Sequence, residues 1–154
     1  MKIEDVKLSD IDELVELEKK CFDGPTAYDY DMLMQAFTAS EGMAYKVAPD
    51  SQIMGYIMAA PLYGSQIGPA VDIESVAVLP YHRGKGIGKA LMLRVEEEAK
   101  KRGYKLMVLE VREKNMPALS LYRKLGYTQL EHLPNYYIYE NGESRHGIRM
   151  TKPL

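Results

Sequence analysis

The nine residues Tyr81-His82-Arg83-Gly84-Lys85-Gly86-Ile87-Gly88-Lys89 hold the densest chemistry in the chain. Three glycines let a backbone come close to a ligand. If a helix starts there, its first N–H groups are free and its dipole presents a positive end. Arg83, Lys85 and Lys89 add local positive charge. These are the properties of a pyrophosphate cradle; the plainer reading is a tight turn with a solvated basic rim. Spacing narrows the ligand. A dinucleotide fold needs G-x-G-x-x-G, whereas Gly84, Gly86 and Gly88 give G-x-G-x-G with Lys at 89. A P-loop needs G-x-x-x-x-G-K-[ST], but Gly88-Lys89 is followed by Ala90 and position 83 is Arg. The pattern that fits is R-x-x-G-x-G, met by Arg83, Gly86 and Gly88.

The elements that must carry this loop are read from periodicity. Lys2 to Val6 predicts a short strand. Ser9 is a candidate N-cap for a helix through Ile11, Leu14, Val15 and Leu17, with Cys21 continuing its apolar face. Asp23-Gly24-Pro25-Thr26 is a turn, and a second short helix is predicted over Tyr28 to Phe37. Met43 to Val47 and Ile53 to Pro61 read as a hairpin, and Ala70 to Leu79 as a third strand that Pro80 ends. Ile87, Leu91, Val95 and Ala99, spaced by four, predict a helix from Gly86 to Lys101. Leu106 to Val111 is apolar enough to be a central strand. A helix over Met116 to Leu125 is closed by Gly126. Tyr127 to Leu154 reads as two strands joined through Glu140-Asn141-Gly142-Glu143. Only the strand-helix-strand unit from 70 to 111 demands a parallel pairing. The expected fold class is α/β: one domain over 1–154, with a mixed, mostly antiparallel sheet and helices on both faces.

With those elements in place, the chain resembles the GNAT superfamily of acetyltransferases. The likeness runs from Val76-Ala77-Val78-Leu79-Pro80 through the glycine loop to Leu109-Glu110-Val111-Arg112 and the N-x-x-A-x-x-L-Y-x-x-x-G-[FY] segment from Asn115 to Tyr127. The resemblance implies acetyl-CoA as cosubstrate. It implies that the backbone of Val76, Ala77 and Val78 pairs with the pantetheine arm, and that Arg83, Gly84, Lys85, Gly86, Ile87, Gly88 and Lys89 hold the pyrophosphate. Asn115 would reach the cofactor arm. Tyr122 would stand near the sulfur, where a phenol can protonate the leaving thiolate. Glu110 is the implied base, with Glu74 on the neighbouring strand as the other choice; each also has an ordinary reading as a surface or paired carboxylate. Regular alternation places Glu74, Val76 and Val78 on one face of their strand.

The run Leu109-Glu110-Val111-Arg112, with Asn135-Tyr136-Tyr137 and Glu140-Asn141-Gly142-Glu143, is similar to RimI-like and archaeal N-terminal acetyltransferases. That implies a protein or peptide N-terminus as substrate, gripped by Tyr136 or Tyr137, with Phe22 and Tyr28 as the other wall. Ser144-Arg145-His146 departs from the pattern of that group. A small amine (polyamine, amino acid or aminoglycoside) remains an alternative acceptor, and a cofactor-binding sensor without turnover is the reading from another class. His82 lies in the loop where a phosphate is expected; His132 and His146 are scattered and receive no role.

Bulk properties exclude other classes. The 154 residues are 46% hydrophobic and 27% charged, with net charge -2, so no general attraction to nucleic acid or anionic membrane is expected. The lone Cys21 allows no internal disulfide or cysteine-rich metal site, no metal is expected, and a reducing, cytoplasmic setting fits. No apolar run reaches the roughly 18 residues of a membrane span. The preferred N-terminal residue and the oligomeric state stay open.

Overall fold

A computed structural model describes residues 1–64, 66, 68–139 and 144–154; the Glu140–Glu143 connection lies outside the described residues. The strands are β1 (Glu4–Asp5), β2 (Ala44–Val47), β3 (Gly55–Leu62), β4 (Ala70–Val78), β5 (Leu106–Arg112), β6 (Thr128–Leu133) and β7 (Gly147–Pro153). The helices are α1 (Ile11–Cys21), α2 (Tyr30–Ala39), α3 (Ile87–Lys101) and α4 (Met116–Lys124). The sheet order is β1-β2-β3-β4-β5-β7-β6. Among the described residues only β4 and β5 pair in parallel, and β5 lies inside the sheet, as its apolar sequence requires.

Two apolar layers flank the sheet. On one face, α3 and α4 bury Ile87, Leu91, Val95, Ala99, Leu119 and Tyr122 against Ile57, Val71, Ile73, Leu109 and Val111. On the other, α1 and α2 bury Ile11, Leu14, Leu17, Leu33 and Ala36 against Ala44, Tyr56, Met58 and Ala77. The stripe spaced by four in α3 is fully used. A buried polar tie closes the first layer: the Tyr127 hydroxyl donates to Glu96 at 2.9 Å, and Lys152 Nζ donates to the other oxygen at 2.7 Å.

Helix starts differ from the sequence expectation where a side chain found a better partner. Ser9 does not cap α1. A 3-10 turn over Leu8–Asp10 precedes the helix, and Asp10 accepts the Lys7 N–H at 2.7 Å. The second helix begins at Tyr30, because Asp29 accepts the Met32 N–H at 2.9 Å and caps it there. Tyr28 is thereby left in the loop. Tyr136 and Tyr137 lie in the connection between β6 and β7, not in a strand. Cys21 is half-buried, and its thiol donates to the Val78 carbonyl at 3.4 Å.

The alternation expected along β4 also fails, for a specific reason. Met58 pairs with Ser75 and Ala59 pairs with Ile73, so Glu74 is an extra residue in β4. This β-bulge reverses the facing of the residues after it. Val71 and Ile73 face α3 before the bulge, and Val76 and Val78 face α3 beyond it, while Ala77 joins the opposite layer. The β4–β5 ladder contains only Ala70↔Leu106, Val71↔Met107 and Asp72↔Val108. Both strands continue, but apart.

Gly55 sets how closely α3 approaches this region. A Cβ there would lie 2.9 Å from Ile87 Cγ2 and 3.1 Å from the Ala77 carbonyl oxygen. Gly55→Ala is expected to lower unfolding free energy by about 1–3 kcal/mol through overpacking. Urea denaturation checks this; an unchanged midpoint would show that α3 shifts freely.

Candidate active site

The divergence of β4 from β5 opens a gap through the sheet. Leu79 N–H donates to the Met54 carbonyl at 2.8 Å, on the β3 side. Alternation then turns the N–H and C=O groups of Val76 and Val78 toward the gap. At the gap's end, the Val78 carbonyl accepts from Arg83 Nε at 3.0 Å. Arg83 therefore ties the glycine loop to β4 instead of standing free as a rim charge.

The loop itself runs through a 3-10 turn, Pro80–His82, into α3. Gly84 and Gly86 have φ of +78° and +83°, a left-handed backbone that disfavours side chains, and nothing lies within 4 Å of a Cβ built at either. Gly86 is the N-cap of α3 and has no side chain to cap it, so the N–H groups of Ile87, Gly88 and Lys89 are left for an external acceptor. The Ile87 side chain is buried in the core, so it can serve a ligand only through its backbone. Lys85 Nζ sits 3.3 Å from His82 Nδ1 and 5.5 Å from the centre of the Tyr81 ring. An open cradle of free N–H groups with an unpaired strand edge leading to it fits a pyrophosphate with an extended amide-bearing arm.

Tyr122 stands on the α3–α4 side of the gap. It is 7% exposed, its ring packs edge-on to Tyr127 at 6.1 Å, and its hydroxyl makes no hydrogen bond among the described residues. Burial pushes its pKa up to about 12, so the phenol keeps its proton. Asn115 caps α4 by accepting the Ala118 N–H at 3.3 Å through Oδ1, which leaves its amide NH2 as the group free to reach a ligand.

The carboxylates stand on the opposite face. Leu109 and Val111 face α3 and α4, so Glu110 between them faces away. A cleft of about 420 Å3 opens there, lined among others by Leu62, Tyr63, Asp72, Glu110, Tyr136 and Arg149. Arg149, directly across the ladder, donates through Nε to Glu110 Oε2 at 3.1 Å and also binds Glu131. Asp72 is the acidic residue that periodicity and motif did not single out. Its Oδ1 is buried without a hydrogen-bond partner among the described residues. Burial first, then the neighbouring Glu110, raise its pKa to about 9. Glu74, the bulge residue, is raised by burial and by the Glu110 charge.

The aromatic walls separate into two roles. Tyr136 lines the cleft; burial and the charges of Glu110 and Asp72 raise its pKa. Tyr137 packs instead under the Arg112 guanidinium, 4.2 Å from its ring centre, and meets Tyr136 edge-on at 5.0 Å. It buttresses Tyr136. Tyr28 is half-buried, and its hydroxyl donates to the Glu74 carbonyl at 3.0 Å, at the bulge. Phe22 is 36% exposed at the end of α1 and does not line the cleft. His132 and His146, far apart in sequence, come within 5.4 Å ring to ring, with His132 Nε2 3.1 Å from Glu113.

This arrangement matches known proteins. The model of the acetyltransferase (GNAT) family matches residues 11–127, and the chain belongs to that family. It is an acetyl-CoA-dependent N-acetyltransferase. An N-alpha-acetyltransferase of Sulfurisphaera tokodaii is 31% identical over 99% of this chain and 93% of its own length. A streptothricin acetyltransferase of Streptomyces lavendulae is 35% identical over 70% of this chain and 55% of its own length. The crystal structure of Ard1 from Thermoplasma volcanium has the same fold, with a TM-score of 0.86 at 20% identity, covering 99% of this chain and 97% of that one. Among the described residues no helix is long and apolar enough to cross a membrane.

The Asp72 environment makes a thermodynamic prediction. A carboxyl whose folded pKa is raised from 3.8 to about 9 contributes stability that is complete below the unfolded pKa and lost as pH climbs to about 9. Asp72→Asn removes that loss. Relative to wild type, the variant is expected to gain stability between pH 5 and pH 9 in urea denaturation; a constant difference across that range would show that Asp72 does not titrate there.

Proposed function

We propose that the chain, acting as one catalytic domain, acetylates the α-amino group of a peptide or protein N-terminus. One observation carries this reading: the cleft beyond the gap is open, lined by Tyr136, acidic where an amine must enter, and bordered at the Glu74 bulge by Tyr28. An extended peptide end fits such a wall, and the N-alpha-acetyltransferase relative supports the same substrate class.

The roles divide across the sheet. The Val76 and Val78 backbone, the N–H groups of the 83–89 loop and the Asn115 amide hold the cofactor. Acetyl-CoA supplies the activated acetyl group and a thiolate as leaving group. On its side of the gap, Tyr122 holds at its hydroxyl the proton this leaving group needs. On the other side, the amine arrives as an ammonium ion and must lose a proton. An α-amine has a pKa near 8, against about 10.4 for lysine, so a carboxylate suffices as base. Glu110, oriented by Arg149, accepts that proton, with Glu74 as the second choice; Asp72, held neutral beside Glu110, limits the charge of the cleft. Tyr136 flanks the incoming peptide backbone, and Tyr137 keeps it in place.

A small cationic amine is the second reading. It is favoured by the three acidic groups Asp72, Glu110 and Glu131 in one cleft and by the streptothricin acetyltransferase relative.

Acetyl transfer to short peptides with varied first residues, beside spermidine and free amino acids, separates the two. Turnover of peptides that is lost when the N-terminus is blocked is the expected result; turnover of small amines alone would overturn the peptide reading. Tyr122→Phe is expected to lower kcat by at least about 10²-fold with little change in acetyl-CoA affinity. An unchanged kcat would remove Tyr122 as the acid.

A further inference from the structure

Glu18 is the most deeply buried acid in the described chain, and no step above uses it. It lies on α1 and is 1% exposed, among the side chains that face α2 and β3. Its Oε1 accepts the backbone N–H of Tyr28 at 2.9 Å. Its Oε2 has no hydrogen-bond partner among the described residues. A buried carboxyl with one oxygen unmatched opposes folding, and an apolar side chain of similar size would not. What the carboxyl provides in return is local: a fixed position for Tyr28.

That position matters because the loop between α1 and α2 has few other anchors. Phe22 to Pro25 are exposed, and Gly24 has φ of +48°. Within the loop, Thr26 and Ala27 donate only to Asp23 and Gly24. Among the described residues, the hydrogen bonds that tie 23–28 to the rest of the fold both belong to Tyr28. Its N–H goes to Glu18, and its hydroxyl goes to the Glu74 carbonyl at the β4 bulge. One residue thus spans from α1, through its backbone N–H, to the strand that borders the gap, through its hydroxyl. Tyr56 extends the same contact, standing beside Glu18 with its hydroxyl 2.8 Å from Ser75 Oγ, the residue after the bulge. Burial dominates at Glu18 and raises its pKa to about 7, while the Tyr28 N–H and the nearby Tyr56 hydroxyl act against that rise.

We propose that Glu18 is a positioning residue for acceptor binding: through the Tyr28 N–H it fixes the wall of the acceptor cleft against the β4 bulge. It touches neither substrate. The inference rests on the reading of Tyr28 as an acceptor wall.

The test compares Glu18→Met, which fills the space and removes the acceptor oxygen, with Glu18→Gln, whose amide oxygen accepts the same N–H. Steady-state kinetics are measured with a free N-terminal peptide and with acetyl-CoA, and amide hydrogen exchange is followed at Tyr28. Glu18→Met is expected to raise the peptide KM about tenfold, the scale of one charge-assisted hydrogen bond. The acetyl-CoA KM should stay unchanged, the Tyr28 amide should exchange faster, and Glu18→Gln should behave like wild type. An unchanged peptide KM in Glu18→Met, or an equal rise in both KM values, overturns the proposal. So does full protection of the Tyr28 amide in that variant. If the wild-type protein acetylates only small amines, the peptide reading falls by itself, and exchange at Tyr28 with the small-amine KM still decides whether Glu18 holds the wall.

Discussion

Everything at the site depends on two neighbouring strands ceasing to pair. β4 and β5 share three residue pairs and then separate past Asp72 and Val108. The one extra residue at Glu74 accompanies that separation and turns the strand over. Unpaired N–H and C=O groups inside a sheet are costly unless something satisfies them. An arm with its own amides, entering along β4, is such a partner. In the proposed function, the gap binds the cofactor through backbone hydrogen bonds that the sheet leaves unmade, not through a cluster of side chains.

The same separation sorts the chemistry. Since strand side chains alternate, β5 sends Leu109 and Val111 toward the helix that carries Tyr122 and sends Glu110 to the other face. A buried phenol on one side and a set of carboxyls on the other can act on one reacting centre without quenching each other by direct proton exchange. Arg149 serves this division by fixing Glu110 from β7. The glycine-rich loop is held to the end of β4 by Arg83, and Gly55 sets how closely α3 approaches the sheet beside it.

Much of this was legible in the chain, because local pattern determines local structure. The glycines at 84, 86 and 88, the apolar stripe of α3 and the Asn115-to-Tyr127 segment each encode hydrogen bonding or packing within a few residues. Where the sequence expectation failed, a non-local partner or a competing cap had won. Asp29 caps α2 two residues past the expected start, which leaves Tyr28 free to reach Glu74. The bulge at Glu74 is set by its register with β3, and period-two alternation carries no sign of it.

The sequence alone determined the order of elements, the glycine-rich loop before α3, Tyr122 and Glu110 as candidate groups, and the family resemblance that joined them. The tertiary structure decided which face each group occupies, that Asp72 stands beside Glu110, that Tyr136 faces the cleft while Tyr137 supports it, and that Glu18 reaches the Tyr28 backbone. The reason is the range of the forces involved. Propensity, capping and periodicity act between residues a few positions apart. The ionisation of a carboxyl and the shape of a cleft depend on what distant strands and loops bring within a few ångströms.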